Sequence, residues 1–154
     1  MSTEANDHTI SVLNDLIQTC KDGQEGFLAA SEGVKNKTLR SLFSQFSLQR
    51  AQFAGVLQQE VHRLGGSPEN SGTVSGSLHR GWMNIKSVVT GKDETAIIAE
   101  CERAEDAARE AYENALHEHL PADLRSIVES QFLEVKKAHD KVRSLEVKAK
   151  ASAR

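Results

Sequence analysis

The chain is poor in the residues that punctuate or cross-link a fold: of 154 residues two are proline, two are cysteine and 5% are aromatic. Two cysteines cannot supply the framework that holds small secreted domains together. So few prolines leave long stretches uninterrupted, and alternating polar and apolar runs are missing, which argues against a sheet protein. No run reaches the ~18 apolar residues of a membrane-spanning helix, and residues 1–9 lack the basic-then-apolar pattern of a signal peptide. A cytoplasmic protein with no membrane partner is the expectation. Charge of one sign is also scarce: the formal net charge is −3. That argues against nucleic acid as a partner, and the basic C-terminal stretch (Lys136, Lys137, Lys141, Arg143, Lys148, Lys150, Arg154) reads as a solvated helix end.

What the chain has in abundance is Ala, Leu, Glu, Lys, Gln and Arg, the strong helix formers. A chain of this length forms one domain and buries roughly 70% of its unfolded surface. After a disordered leader (1–8), Thr9 or Ser11 can cap a first helix carrying Leu13, Leu16, Ile17, Cys20, Phe27, Leu28 and Val34, with Gly33 near its end. Asn36 can cap a second, whose stripe runs from Leu39 through Phe43, Phe46, Phe53, Leu57 and Val61 to Gly65-Gly66. So short a connection makes the two antiparallel neighbours.

Residues 66–92 read as a crossover: a Gly/Ser-rich loop around Pro68, then a short helix with Leu78, Trp82, Ile85, Val88 and Val89. Asp93 caps a third long helix, with Ile97, Cys101, Ala104, Ala108, Ala111, Ala115 and Leu116 on its stripe. Pro121 suits the first turn of a fourth, carrying Leu124, Ile127, Val128, Val135, Ala138, Val142 and Leu145. The domain spans 9–149, and residues 150–154 read as a disordered tail. Cys20 and Cys101 lie on apolar stripes and read as reduced core residues.

Each stripe is interrupted near mid-helix by a polar residue, and a buried polar group costs free energy unless it is paired. Gln24 stands between Cys20 and Phe27, Gln49 between Phe46 and Phe53, Glu105 between Cys101 and Ala108, and Gln131 and Glu134 between Val128 and Ala138. In an antiparallel arrangement these meet as one polar layer. Such a layer is where bundles build metal sites, with a Glu from each of two helices and Glu-x-x-His from each of the others.

Four segments carry a likeness to a known family: LNDLIQTCKDGQEGF (13–27), LQRAQF (48–53), LGGSPENSGTVSGSLHRGW (64–82) and ECERAEDAA (100–108). On them the chain resembles a bacterial group of ferritin-like four-helix proteins of unknown function. The resemblance implies an all-α ferritin-like bundle: two antiparallel hairpins joined by a long crossover that runs end to end and contains a short helix. Carried over by position, Gln24 takes the place of the first helix's Glu, or Glu25 if the register slips by one. Gln49-x-x-Gln52 replaces the first Glu-x-x-His, Glu105 fits the third helix's Glu, and Gln131-x-x-Glu134 replaces the second Glu-x-x-His. No His occupies either slot, and amides are poor ligands for a multiply charged metal pair.

Three functional readings follow, in descending order of support. The first is a non-catalytic structural or interaction protein, self-associating as a homo-oligomer, with a degenerate di-metal site. In it the Gln amides satisfy the carboxylates and Arg50, beside Gln49, reaches in to hold one bidentately. No cofactor is needed. The second is an iron- or manganese-binding redox or storage protein using Glu105 and Glu134, helped by Glu25, Glu102 or His139. The third is a DNA-associated protein using its basic tail. His117 and His119 lie about 200° apart around a helix and cannot easily share a metal. His79 reads as a helix-surface residue, the Gly-rich segment lacks the Lys and strand context of a phosphate loop, and no nucleophile with a base partner emerges.

Overall fold

The computed structural model describes residues 3–68 and 93–152. They form four helices, α1 (Thr3–Gly33), α2 (Lys37–Arg63), α3 (Glu94–Leu116) and α4 (Ala122–Ser152), and among the described residues there is no strand. No described helix is long and apolar enough to cross a membrane. Most of the crossover expected at 66–92, including its Trp82 helix, lies outside the described residues.

Local chemistry accounts for most boundaries. The Asn36 side chain accepts from the N–H groups of Thr38 and Leu39, and Asp93 accepts from those of Thr95 and Ala96, so α2 and α3 start where a capping acceptor sits. α2 stops in a Schellman turn: Gly65 takes φ 84°, its N–H reaches the His62 carbonyl, and that of Gly66 reaches Val61. A β-carbon on Gly66 would stand 2.8 Å from the Ile10 side chain, so the turn also lets the chain close against α1. At the end of α3, Arg125 of α4 donates to the carbonyls of Leu116 and Glu118.

The expected start of α1 needs correction. The helix begins at Thr3, inside the segment read as a leader, and Thr9 is buried within it rather than capping it. Asp7, near the start of the helix, complements the positive end of its dipole. His8, one turn further, meets Glu118 at 3.1 Å. At the other terminus α4 continues to Ser152, into the segment read as a disordered tail.

The helices pack as two hairpins, α1 with α2 and α3 with α4, and α1 against α3 makes the main contact between them. The Glu94 carboxylate accepts from the backbone N–H groups of Lys35 and Asn36, so α3 begins at the α1–α2 turn. Arg63, at the opposite end, meets Asp123 at the start of α4. The core falls into two apolar clusters. One holds Leu13, Ile17, Leu57, Val61, Leu124 and Val128. The other gathers Phe27, Phe43, Ile97 and Val142 around a stacked Phe27–Phe43 pair with centroids 5.9 Å apart. The polar residues of interest lie between them along the bundle.

Candidate functional site

Glu105 and Arg50 form the centre of this layer. Glu105 lies one turn beyond Cys101 on the buried stripe of α3, and Arg50 lies on the stripe of α2 between Phe43 and Leu57. Both are buried, at 0% and 1% exposure. Arg50 Nη1 donates to Glu105 Oε1 at 2.7 Å and Nη2 to Oε2 at 2.6 Å, a bidentate charge-assisted pair. The guanidinium carbon also stands 5.4 Å from the centre of the Phe27 ring. A β-carbon on Gly23 would meet Arg50 Nη1 at 3.2 Å, so this glycine makes room for the guanidinium. Burial pulls the Arg50 pKa down, but the Glu105 charge and hydrogen bonds outweigh it and leave it raised. The cation is permanent. Arg50 Nε has no partner among the described residues.

Beside the pair runs a neutral chain. Cys20 Sγ and the Tyr112 hydroxyl are 3.0 Å apart, Tyr112 donates to Gln131 Oε1 at 2.8 Å, and Gln131 Nε2 donates to the Phe53 carbonyl at 3.4 Å. The three residues link α1, α3 and α4 and end on the α2 backbone. Burial pushes the Cys20 thiol up to about 11, the Cys101 thiol well above its ordinary range and the Tyr112 phenol likewise. All three are protonated at neutral pH. Both cysteines are free and buried.

The other residues expected in the layer are spread out. Gln24 is half-buried, and its carbonyl accepts from Ser47 Oγ at 2.8 Å. Gln49 is half-buried with Oε1 unpartnered among the described residues, while Gln52 and Glu25 are exposed. Glu134, expected beside Glu105, meets Lys137 Nζ at 3.2 Å with 44% of its side chain exposed. Gln131 sits with Tyr112, two turns or roughly 10 Å along α3 from Glu105. The register between α3 and α4 accounts for both displacements: the α4 residues level with Glu105 are Ala138 and His139. His117 and His119 are exposed.

His139 is buried and belongs to a second cluster on the outer side of α3. Its Nε2 lies 3.3 Å from Asp106 Oδ1 and 3.6 Å from Glu102 Oε1, and its Nδ1 lies 3.2 Å from Asp140 Oδ1. One ligand atom from each of Glu102, Asp106 and His139 falls within 4.8 Å of the others. The structure thus brings Glu102 and His139 together, apart from the Arg50–Glu105 pair, and adds Asp106.

Gly23, Tyr112, Asp106 and Asp140 escaped the reading of the sequence. Tyr112 carried a signal: it follows Ala108 by four on the stripe, and it is Tyr112, not the neighbouring Ala111, that is fully buried. Asp106 and Glu102 stand four apart, one helical turn, which put them on a common face.

Among the described residues, fold and site together define a bundle of four helices whose interior carries a closed ion pair. The chain belongs to the family described as Domain of unknown function (DUF2383), whose model matches residues 8–118, taking in α2, α3 and nearly all of α1. No characterised protein matches it.

Proposed function

We propose that this protein is a ferritin-like bundle of the cytoplasm that serves as a structural or interaction protein, self-associating as a homo-oligomer, with its ancestral metal layer converted into a fixed ion pair. The observation that carries this reading is the bidentate bond between Arg50 and Glu105 at full burial. Ferritin-like proteins hold their metals with carboxylates whose negative charge the metals balance. Here the carboxylate on the third helix is balanced by a guanidinium that cannot lose its proton, and both its oxygens are engaged.

The residues do not fit a di-metal centre. A metal at Glu105 would have to break two short charge-assisted bonds and sit beside a fixed positive charge. Glu134 faces the surface with Lys137, and the slots of both Glu-x-x-His motifs lack histidine. A buried pair of this kind holds helices in register, because removing either partner strands a charge in the core. Two free thiols suit a reducing compartment. Exposed Leu48 and Val56 on α2, with Leu133 and Val147 on α4, offer apolar surface for self-association.

The test is metal analysis of protein purified without chelator, combined with sedimentation velocity. The reading predicts an oligomer whose iron and manganese content is the same in the wild type and in the Glu105→Gln, Glu134→Gln double variant. Stoichiometric iron or manganese that disappears from that variant would overturn it, as would a monomer at all concentrations.

A further inference from the structure

His139 is held in an arrangement that the core ion pair leaves unexplained. Its side chain is 6% exposed, and Nε2 has no hydrogen-bond partner among the described residues. Nδ1 faces Asp140 Oδ1 at 3.2 Å. A carboxylate only accepts, so Nδ1 is the donor in this contact. Nε2 itself stands beside two carboxylates, Asp106 Oδ1 at 3.3 Å and Glu102 Oε1 at 3.6 Å. A cation placed among these three atoms would engage Nε2 and both carboxylates.

Neither oxygen is placed to accept a directed hydrogen bond from Nε2. Two donors each ~2.1 Å from a tetrahedral ion, by contrast, stand ~3.4 Å apart. The observed 3.3 and 3.6 Å bracket that value. The Asp140 contact is the outer partner that metal-bound histidines ordinarily have, fixing the tautomer and turning the free nitrogen toward the metal.

We propose that Glu102, Asp106 and His139 bind one divalent transition-metal ion, with Asp140 orienting the imidazole and solvent completing the coordination on the half-exposed Asp106 side. One imidazole nitrogen and two carboxylate oxygens suit zinc or ferrous iron better than the all-oxygen shells of magnesium and calcium. The ion bridges α3 and α4. Arg109 Nη2 also donates to Asp106 Oδ1 at 3.0 Å, which leaves that carboxylate further lone pairs but weakens the site through its charge. The proposal does not depend on the reading of the core, because Arg50 and Glu105 pair with each other while Glu102, Asp106, His139 and Asp140 form their own cluster.

The test is calorimetric titration of the full chain with Zn²⁺, with Co²⁺ absorption as a second readout. The wild type should take up one equivalent and show cobalt d–d bands. Asp106→Asn, at a half-exposed position that leaves the fold intact, should weaken binding at least ~10-fold, as should Glu102→Gln, and Asp140→Asn should weaken it ~10–100-fold as an outer partner. His139→Gln should abolish the cobalt bands, with circular dichroism checking that its helices persist. Absence of saturable Zn²⁺ binding, or an isotherm and spectrum unchanged by Asp106→Asn and Glu102→Gln, would overturn the proposal. Glu105→Gln should leave the zinc isotherm unaltered, so the two readings fail separately.

Discussion

Glu102, Glu105 and Asp106 occupy little more than one turn of α3, yet their surroundings differ sharply. Glu105 faces inward, is wholly buried and has both oxygens taken by Arg50. Glu102 and Asp106 face α4, keep 23% and 51% of their side-chain surface and approach a histidine nitrogen that no hydrogen bond satisfies. The same functional group is thus closed in one place and open in the other. The partners decide which: Arg50 takes both oxygens of Glu105, whereas Arg109 reaches one oxygen of Asp106 and His139 Nε2 stands beside it without a hydrogen bond.

The sharpest way to break this comparison is to remove the core cation. Arg50→Met strands the buried Glu105 charge and should cost about 3–5 kcal/mol in urea unfolding; a loss below about 1 kcal/mol would mean that solvent reaches the carboxylate. Next in size, Tyr112→Phe deletes the hydroxyl linking Cys20 and Gln131 and should cost about 1–3 kcal/mol by leaving Gln131 Oε1 without that donor.

The Cys20 thiol sharpens the inner side of the comparison through pH. Its folded pKa of about 11 lies above the ordinary 9.0. The folded state therefore holds the proton more tightly, and this contribution to stability is complete below pH 9 and is lost as pH rises through about 11. Equilibrium unfolding of wild type should show stability falling across that window, with a shallower fall in Cys20→Ala. Equal slopes would show that the thiol is not sequestered. The smallest effect belongs to the outer surface: Glu134→Ala removes only an exposed contact with Lys137 and should change stability by less than ~0.5 kcal/mol.

Which parts could be read from the sequence follows from how local their causes are. Asn36 and Asp93 cap helices through their own side chains, and Gly65-Gly66 ends α2 through a backbone turn. None of these needs a distant partner. Thr9 misled because a good cap residue can equally sit inside a helix, where tertiary burial decides. In the candidate site, stripe interruptions pointed to Glu105, and the spacing placed Arg50 within reach. The register between α3 and α4 is not local. It depends on how two stripes interlock, so Gln131 lies two turns and Glu134 about one turn from the level of Glu105, and His139 stands in their place. Gly23 gave no signal, since its value lies in the side chain it lacks and in an arginine from another helix.

The central claim is that Arg50 and Glu105 act as one unit that replaces metal in the core. A double-mutant cycle in urea with Arg50→Met and Glu105→Leu measures this most directly. The account predicts that each single variant loses about 3–5 kcal/mol, while the combined variant recovers most of the loss because no charge remains unpaired. Losses that simply add would contradict it.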